Sequence, residues 1–275
     1  MIKNVVTWLV GVWVAAAAAA ESWSARSPGA PYVPTPDRIV EEMLDLAEVD
    51  PSDYVMDLGS GDGRIVIQAV QRGAAGQGVE RNRSLVHDAR LNAQRAGIGD
   101  RVAFVDEDLF ATNLSRASVV TMYLLPDQNA RLRPKLLEQL RPGTRIVSHG
   151  FEIGLWEPDK KVEVELGPGN MRLVNLWIVP ADVRGRWQWL LDGRRFTWQV
   201  SQDFQKLDSM LDADGITIAL ENVELRGRTL AFAAEDDGLR YTFSGRVGDG
   251  QIEGIAHASG GAQPRVIAWH AVLQA

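Results

Sequence analysis

Between residues 53 and 180, short apolar runs alternate with amphipathic segments. The apolar runs predict strands over 54–58, 76–80, 101–107, 118–125 and 143–149, and helical spacing predicts helices over 64–73, 83–97 and 126–140. This βαβ alternation is typical of a parallel sheet covered by helices on both faces. Two further runs, 161–167 and 172–180, are joined by a short Pro-Gly-Asn loop, which predicts an antiparallel hairpin at the sheet edge. We therefore predict an α/β fold of Rossmann-like, seven-stranded type.

After Pro180 the apolar positions change to a period of two residues. Alternating runs lie at 186–191, 195–201, 215–220, 229–235, 239–247 and 265–273. Closely spaced strands with Gly and Asp turns predict a small antiparallel β-barrel or sandwich. The tryptophans of this region are predicted to lie in its core, namely Trp187, Trp189, Trp198 and Trp269. We place the domains at 26–182 and 183–275.

The first 25 residues have a different composition. A single lysine, Lys3, precedes an uncharged run from Asn4 to Ala20, which ends in Ala18-Ala19-Ala20 before Glu21. This order is typical of a secretory signal peptide, and the alternative is an uncleaved anchor. The position of Lys3 places the rest of the chain on the far side of the membrane. We predict an exported protein, periplasmic or secreted, or a membrane-anchored one, with residues 1–25 as the signal peptide or anchor.

Composition narrows the function classes. The 275 residues carry a net charge of −7, which argues against nucleic acid binding through bulk electrostatics. No cysteine is present, so disulfides and thiolate metal sites are excluded. The four histidines are scattered without metal-ligand spacing. We predict no metal centre and no nucleic acid partner.

The segment "DLGSGDGR" lies where the first strand ends and a helix begins, and its glycines allow a tight turn and close approach to a ligand: Gly59, Gly61 and Gly63. A dinucleotide-binding loop has the pattern G-x-G-x-x-G, but Arg64 occupies the third glycine's place here. Asp57 and Asp62 would repel a pyrophosphate. The loop therefore favours a ligand with a positive charge and a ribose, such as S-adenosylmethionine.

Polar side chains follow the next strands, at the edge where ligands of open α/β sheets bind. Glu80 closes the second strand, where a carboxylate can accept from both ribose hydroxyls. Asp108 follows the third strand and could accept from an adenine amino group. Tyr123 ends the fourth strand, beside the expected methyl group. His149 follows the fifth and could act as a general base or be structural.

Taken together, residues 31–180 resemble a class I S-adenosylmethionine-dependent methyltransferase. "PYVPTP" and "DLGSGDGRIVIQA" resemble the group that includes the mitochondrial lysine methyltransferase of the ATP synthase c-subunit. The resemblance implies that Tyr32–Pro36 folds over the site. Our catalytic candidates are Tyr123 and His149. The predicted cofactor-binding residues are Thr35, Asp57, Gly59, Ser60, Gly61, Gly63, Glu80, Asp108 and Leu109.

The resemblance implies one class of methyl acceptor, and two alternative functions stand beside it. The lysine group implies a protein lysine amine, and the fourth-strand motif "MYLLPD" differs from the Asn/Asp-Pro-Pro-Tyr of enzymes that methylate amide or base nitrogens. The β-rich extension departs from the lysine group; we expect it to recognise the substrate or a membrane-associated partner. Two alternatives are a small-molecule acceptor, such as a quinone or lipid-like compound, and a catalytically silent secreted binding protein.

Overall fold

The computed structural model describes residues 32–261 and 263–274. The predicted signal peptide or anchor, residues 1–25, lies outside these described residues. Among the helices that are described, none has both the length and the apolar character needed to cross a bilayer. By its internal contacts, the chain from Pro34 to Ala275 forms one compact unit.

Seven strands form the first sheet, and the described helices belong to the same part of the chain. The strands are β1 (Tyr54–Leu58), β2 (Ala75–Glu80), β3 (Val102–Asp106), β4 (Val119–Met122), β5 (Arg145–His149), β6 (Lys160–Glu165) and β7 (Met171–Ile178). The helices are α1 (Asp37–Leu46), α2 (Arg64–Gln71), α3 (Arg83–Arg95) and α4 (Pro126–Gln139). Elements therefore occur where the hydrophobic pattern predicts them, apart from differences at their ends.

The strand order is β3–β2–β1–β4–β5–β7–β6. Strands β1 to β5 pair in parallel, whereas β7 pairs antiparallel with both β5 and β6. The predicted antiparallel edge hairpin is therefore confirmed. Because parallel strands end at one edge, the loops after β1, β2, β4 and β5 lie side by side.

At two places the structure differs from what the sequence predicts. Thr35-Pro36-Asp37 predicts a helix start with Thr35 as the N-cap. In the structure the helix begins at Asp37, with Pro36 in the capping position and no side-chain cap from the described residues. Thr35 is instead buried. The fourth strand ends at Met122, so Tyr123 lies in the loop beyond it rather than in the strand. The strand ends there because its pairing with β1 ends at Met122, which lies opposite Leu58, the last residue of β1.

Nine antiparallel strands form the second sheet. They are β8 (Gly185–Leu191), β9 (Arg194–Asp203), β10 (Lys206–Ala213), β11 (Ile216–Ile218), β12 (Leu220–Arg226), β13 (Thr229–Asp236), β14 (Leu239–Gly248), β15 (Gln251–Ser259) and β16 (Arg265–Gln274). Their order is β11–β10–β9–β8–β16–β15–β14–β13–β12, and β10 comes into contact with β12. The sheet is thus a nearly closed barrel. The predicted domain boundary at 182/183 falls between β7 and β8 and stays a prediction.

The barrel interior is an aromatic cluster. Trp189 stacks on Phe196 with centroids 5.4 Å apart, and Phe232 stacks on Phe243 at 4.6 Å. All four tryptophans predicted for the core are buried there. Such offset and edge contacts between rings add to the free energy gained by burying them.

Candidate active site

The glycine loop joins β1 to α2 and is held against β2. The backbone amides of Gly59 and Ser60 both donate to the carbonyl oxygen of Val79, at 2.9 and 3.0 Å. Gly59 and Gly63 have φ values of +81° and +83°, which side chains rarely adopt. A Cβ on Gly63 would also lie 2.6 Å from the Phe104 ring. Glycine is required there by backbone conformation and by close packing together.

Asp57 lies in β1 and is almost completely buried beside this loop. Its Oδ1 accepts a hydrogen bond of 2.8 Å from the Thr121 hydroxyl of the neighbouring strand. Burial raises the pKa of Asp57 to about 7; the Thr121 bond opposes this shift, whereas the Glu80 and Asp62 carboxylates add to it. Near neutral pH this carboxyl therefore exists in both its protonated and its ionised form.

Glu80 is the last residue of β2 and faces the glycine loop. Its Oε2 accepts from the Gly61 amide at 3.2 Å, and its Oε1 accepts from the Asn82 amide at 2.8 Å. These bonds fix the carboxylate at the carboxyl edge of the sheet. A ligand with neighbouring hydroxyl groups can approach its remaining lone pairs.

Asp108 and Leu109 lie just beyond β3, at the same edge. The Glu107 amide donates to the Glu80 carbonyl at 3.3 Å and ties this loop to the end of β2. Asp108 is exposed, and its Oδ1 accepts from the Phe110 amide at 2.9 Å. Leu109 is half-buried against the core on that side. The predicted contacts of both residues with an adenine stay predictions.

Thr35, Tyr123 and His149 meet at the ends of β4 and β5. The Thr35 hydroxyl oxygen lies 3.3 Å from Nδ1 of His149, and the Tyr123 ring stacks on the imidazole at 3.9 Å. Burial, with a smaller contribution from the Arg172 cation, lowers the pKa of His149 to about 4. Its Nε2 is buried without a hydrogen-bond partner among the described residues. The three side chains form a neutral, partly aromatic surface, in which Tyr123 is partly exposed while Thr35 and His149 are buried.

Two residues of the site were not among our candidates. Arg64 pairs with Asp62 at 2.7 Å and donates through one guanidinium nitrogen to the Thr35 carbonyl at 3.0 Å. It thus links the glycine loop to the segment before α1. Thr121 holds Asp57. The sequence already showed Arg64 in the place of a third glycine, whereas the role of Thr121 depends on strand register.

This edge fits S-adenosylmethionine by the chemistry of its polar groups. Asp57 and Glu80 supply carboxylates for a cationic, ribose-bearing ligand, and the glycines form the tight turn without a Cβ in the way. The Ser60 hydroxyl is buried and has no partner among the described residues, so it is free to bond a ligand. The structure places the candidate residues around one edge, while their individual ligand contacts stay predictions.

Comparisons with known proteins agree with this arrangement. The family model of the ANTKMT methyltransferase domain matches residues 57–160. A protein-lysine N-methyltransferase of Saccharolobus islandicus is 43% identical over 155 residues, which cover 55% of this chain and 95% of the relative. The adenine nucleotide translocase lysine N-methyltransferase of Mus musculus is 41% identical over 129 residues, covering 46% of this chain and 56% of that protein. The chain thus spans nearly all of the Saccharolobus relative and just over half of the mouse one.

A solved structure shows the same fold with a cofactor product bound. It is an RNA methyltransferase from Salinibacter ruber in complex with S-adenosyl-L-homocysteine. The two sequences are 50% identical, the match covers 55% of this chain and 96% of that one, and the TM-score is 0.52. The chain belongs to the ANTKMT methyltransferase family and is an S-adenosylmethionine-dependent methyltransferase.

Proposed function

We propose that the protein methylates the side-chain amine of lysine in a protein acceptor. The observation that carries this proposal is the neutral surface of Thr35, Tyr123 and His149 beside the acidic cofactor edge. A neutral amine can approach this surface without meeting a fixed positive charge in it. The names of the Saccharolobus and mouse relatives, both lysine methyltransferases, support the same acceptor.

S-adenosylmethionine, when bound, supplies an electrophilic methyl group. Asp57, Glu80 and Ser60 are the residues that would hold it at the glycine loop. A lysine amine has an ordinary pKa near 10.4, so it must lose a proton before its lone pair can attack. The chain's remaining contribution is to align that lone pair and to exclude water.

His149 is better suited to orienting the amine than to removing its proton. With a pKa of about 4, the imidazole is a far weaker base than the amine. It is therefore poorly suited to take a proton from the lysine ammonium group. Its buried Nε2, which has no hydrogen-bond partner in the described part of the chain, can form a hydrogen bond to the acceptor instead. The Tyr123 ring holds the imidazole in place by stacking. We therefore replace the predicted general-base role of His149 with an orienting one.

A panel of acceptors tests the proposal. Peptides with one central lysine, matched peptides with arginine in its place, total RNA and a quinol are incubated with methyl-labelled S-adenosylmethionine and the protein. We expect label only on the lysine peptides, and little with Glu80→Gln. Label on RNA would favour the activity named for the Salinibacter protein, and label on the quinol a small-molecule enzyme. Either result without lysine methylation contradicts the proposal.

We also propose that residues 1–25 direct export or anchoring. The support is the order of one lysine, an uncharged run and small residues before Glu21. Cell fractionation with N-terminal sequencing of the mature protein tests this. A shortened chain outside the cytoplasm indicates a cleaved signal, a full-length chain in the membrane fraction indicates an anchor, and a full-length cytoplasmic chain contradicts both.

A further inference from the structure

The turn between β9 and β10 reaches across to the first sheet. We call residues 203–206 the hairpin tip and residues 150–157, which follow β5, the acceptor-side loop. The Phe204 ring of the tip stacks on Trp156 of the loop, with centroids 5.6 Å apart and planes 14° apart. The Arg133 guanidinium of α4 lies 5.6 Å from the centroid of the same ring. Phe204 therefore packs with the core of the first sheet rather than with the barrel interior.

Two hydrogen bonds of Gln205 also join the hairpin tip to the acceptor-side loop. The Trp156 indole nitrogen donates to the Gln205 side-chain oxygen at 2.8 Å, and the Gln205 amide nitrogen donates to the Glu157 carbonyl at 2.8 Å. One side chain thus bonds both a side chain and the backbone of the loop. Lys206 also pairs with Glu157 at 2.8 Å, but both side chains are exposed and such pairs contribute little.

Trp156 is the anchor of the acceptor-side loop. Its side chain is fully buried, and its carbonyl oxygen accepts from the Trp177 indole of β7 at 2.8 Å. At the other end of the loop, Phe151 stacks near Tyr123 with centroids 6.4 Å apart. The loop therefore connects the hairpin tip to the aromatic surface on which we place the acceptor.

The backbone of the tip is that of a two-residue hairpin turn, in which Asp203 pairs with Lys206. Phe204 has a φ of +55°, an uncommon conformation for a bulky residue. Such a conformation persists where surrounding contacts hold it. The Phe204 ring contacts Trp156 and Arg133, and the Phe204 carbonyl oxygen accepts from the Gln202 side-chain amide at 2.6 Å.

We propose that the hairpin tip positions the acceptor-side loop, so that Phe204 and Gln205 are positioning residues for methyl transfer. This inference rests on the proposed function for the acceptor's location. It gives the barrel a specific role, because the tip holds Trp156 and the loop then holds Phe151 against Tyr123. The acceptor surface is formed in this way.

Amide hydrogen exchange of the full chain tests the contact without any acceptor. Glycine suits a φ of +55°, so Phe204→Gly removes the ring without straining the turn. We expect peptides covering 150–157 to exchange about tenfold faster in Phe204→Gly and in Gln205→Ala. Phe204→Tyr keeps the ring and should restore wild-type exchange. Ile252→Ala, in the separate barrel core, is the control for general loss of stability.

Kinetics of the same variants test the consequence, with the most active lysine peptide of the panel as probe. We expect kcat/KM for the peptide to fall about tenfold in Phe204→Gly while the Kd for S-adenosylmethionine stays unchanged. Equal acceleration of loop exchange by Ile252→Ala, or wild-type exchange in Phe204→Gly and Gln205→Ala, would overturn the proposal. An absence of lysine methylation by the wild type would instead refute the proposed function, leaving loop exchange to decide the positioning role.

Discussion

Asp57 should destabilise the ligand-free protein at neutral pH, and Asp57→Asn should remove that cost. Asparagine keeps the size of the side chain and an oxygen that can accept from the Thr121 hydroxyl. It cannot ionise. The variant therefore mimics the protonated carboxyl that burial favours, while it loses the charge expected to pair with a cationic ligand.

The magnitude follows from the two pKa values of Asp57. The folded value is about 7 and the ordinary value is 3.8. Because each unit corresponds to about 1.36 kcal/mol, the full effect is about 4 kcal/mol. The folded pKa is the higher one, so the stabilising effect of the bound proton is complete below pH 3.8 and is lost as the pH rises to about 7. Between about pH 5 and 8 the wild type should lose about 3 kcal/mol relative to Asp57→Asn.

Thermal unfolding followed by fluorescence measures this difference. For a protein of this size, 3 kcal/mol corresponds to a relative shift in Tm of roughly 6 to 12 °C. The Tm gap between Asp57→Asn and the wild type should therefore widen as the pH rises and then level off above about pH 7. The exposed Asp108→Asn is the matched control and should follow the wild type. A gap that stays constant from about pH 5 to 8 would refute the reasoning.

Three further predictions concern the same edge of the sheet. Affinity for S-adenosylmethionine should weaken up to about tenfold per pH unit below about pH 7, because Asp57 must release a proton to pair with a cation; calorimetry across pH would show this, and a flat profile would contradict it. Thr121→Val should raise the pKa of Asp57 further and weaken binding at neutral pH, whereas Thr121→Ser should not. Gly63→Ala should cost about 1–3 kcal/mol of stability by thermal unfolding, since φ is +83° and Phe104 blocks the Cβ. Gly97→Ala, at φ +70° with open space around the added Cβ, should reduce the stability less. Equal losses in the two variants would show that the Phe104 ring moves aside.

The first sheet could be predicted because its hydrophobic pattern alternates between strand and helix. The edge hairpin followed from the absence of a helix between two apolar runs. The roles of Thr121 and Arg64 could not be predicted, since they depend on the register of β1 against β4 and on the path of the segment before α1. Thr35 carried a capping signal, but burial against His149 decided its position.

The barrel was predicted as a class but not strand by strand. Strands β10, β12 and β15 were missed because their inward positions include small or polar residues, and because β10 and β15 also carry exposed apolar residues, Met210 and Ile255, which weaken the alternation. In β15 the buried residues Ala256 and Ala258 give little hydrophobic contrast. Small residues lie close to bulky ones here: a Cβ on Gly245 of β14 would lie 2.9 Å from Trp269. Alternation of large and small residues across a core is visible only when the strands are paired.

Direct titration with S-adenosylmethionine is the most decisive measurement for the site. We predict that the wild-type protein binds with a Kd in the micromolar range typical of enzyme substrates, and that Glu80→Gln binds far more weakly while remaining folded. The exposed Asp237, in the turn after β13, offers a control: Asp237→Asn should bind as the wild type does. Equal binding by Glu80→Gln and the wild type, or no binding by the folded wild type, would contradict the assignment of the cofactor site to this edge of the sheet.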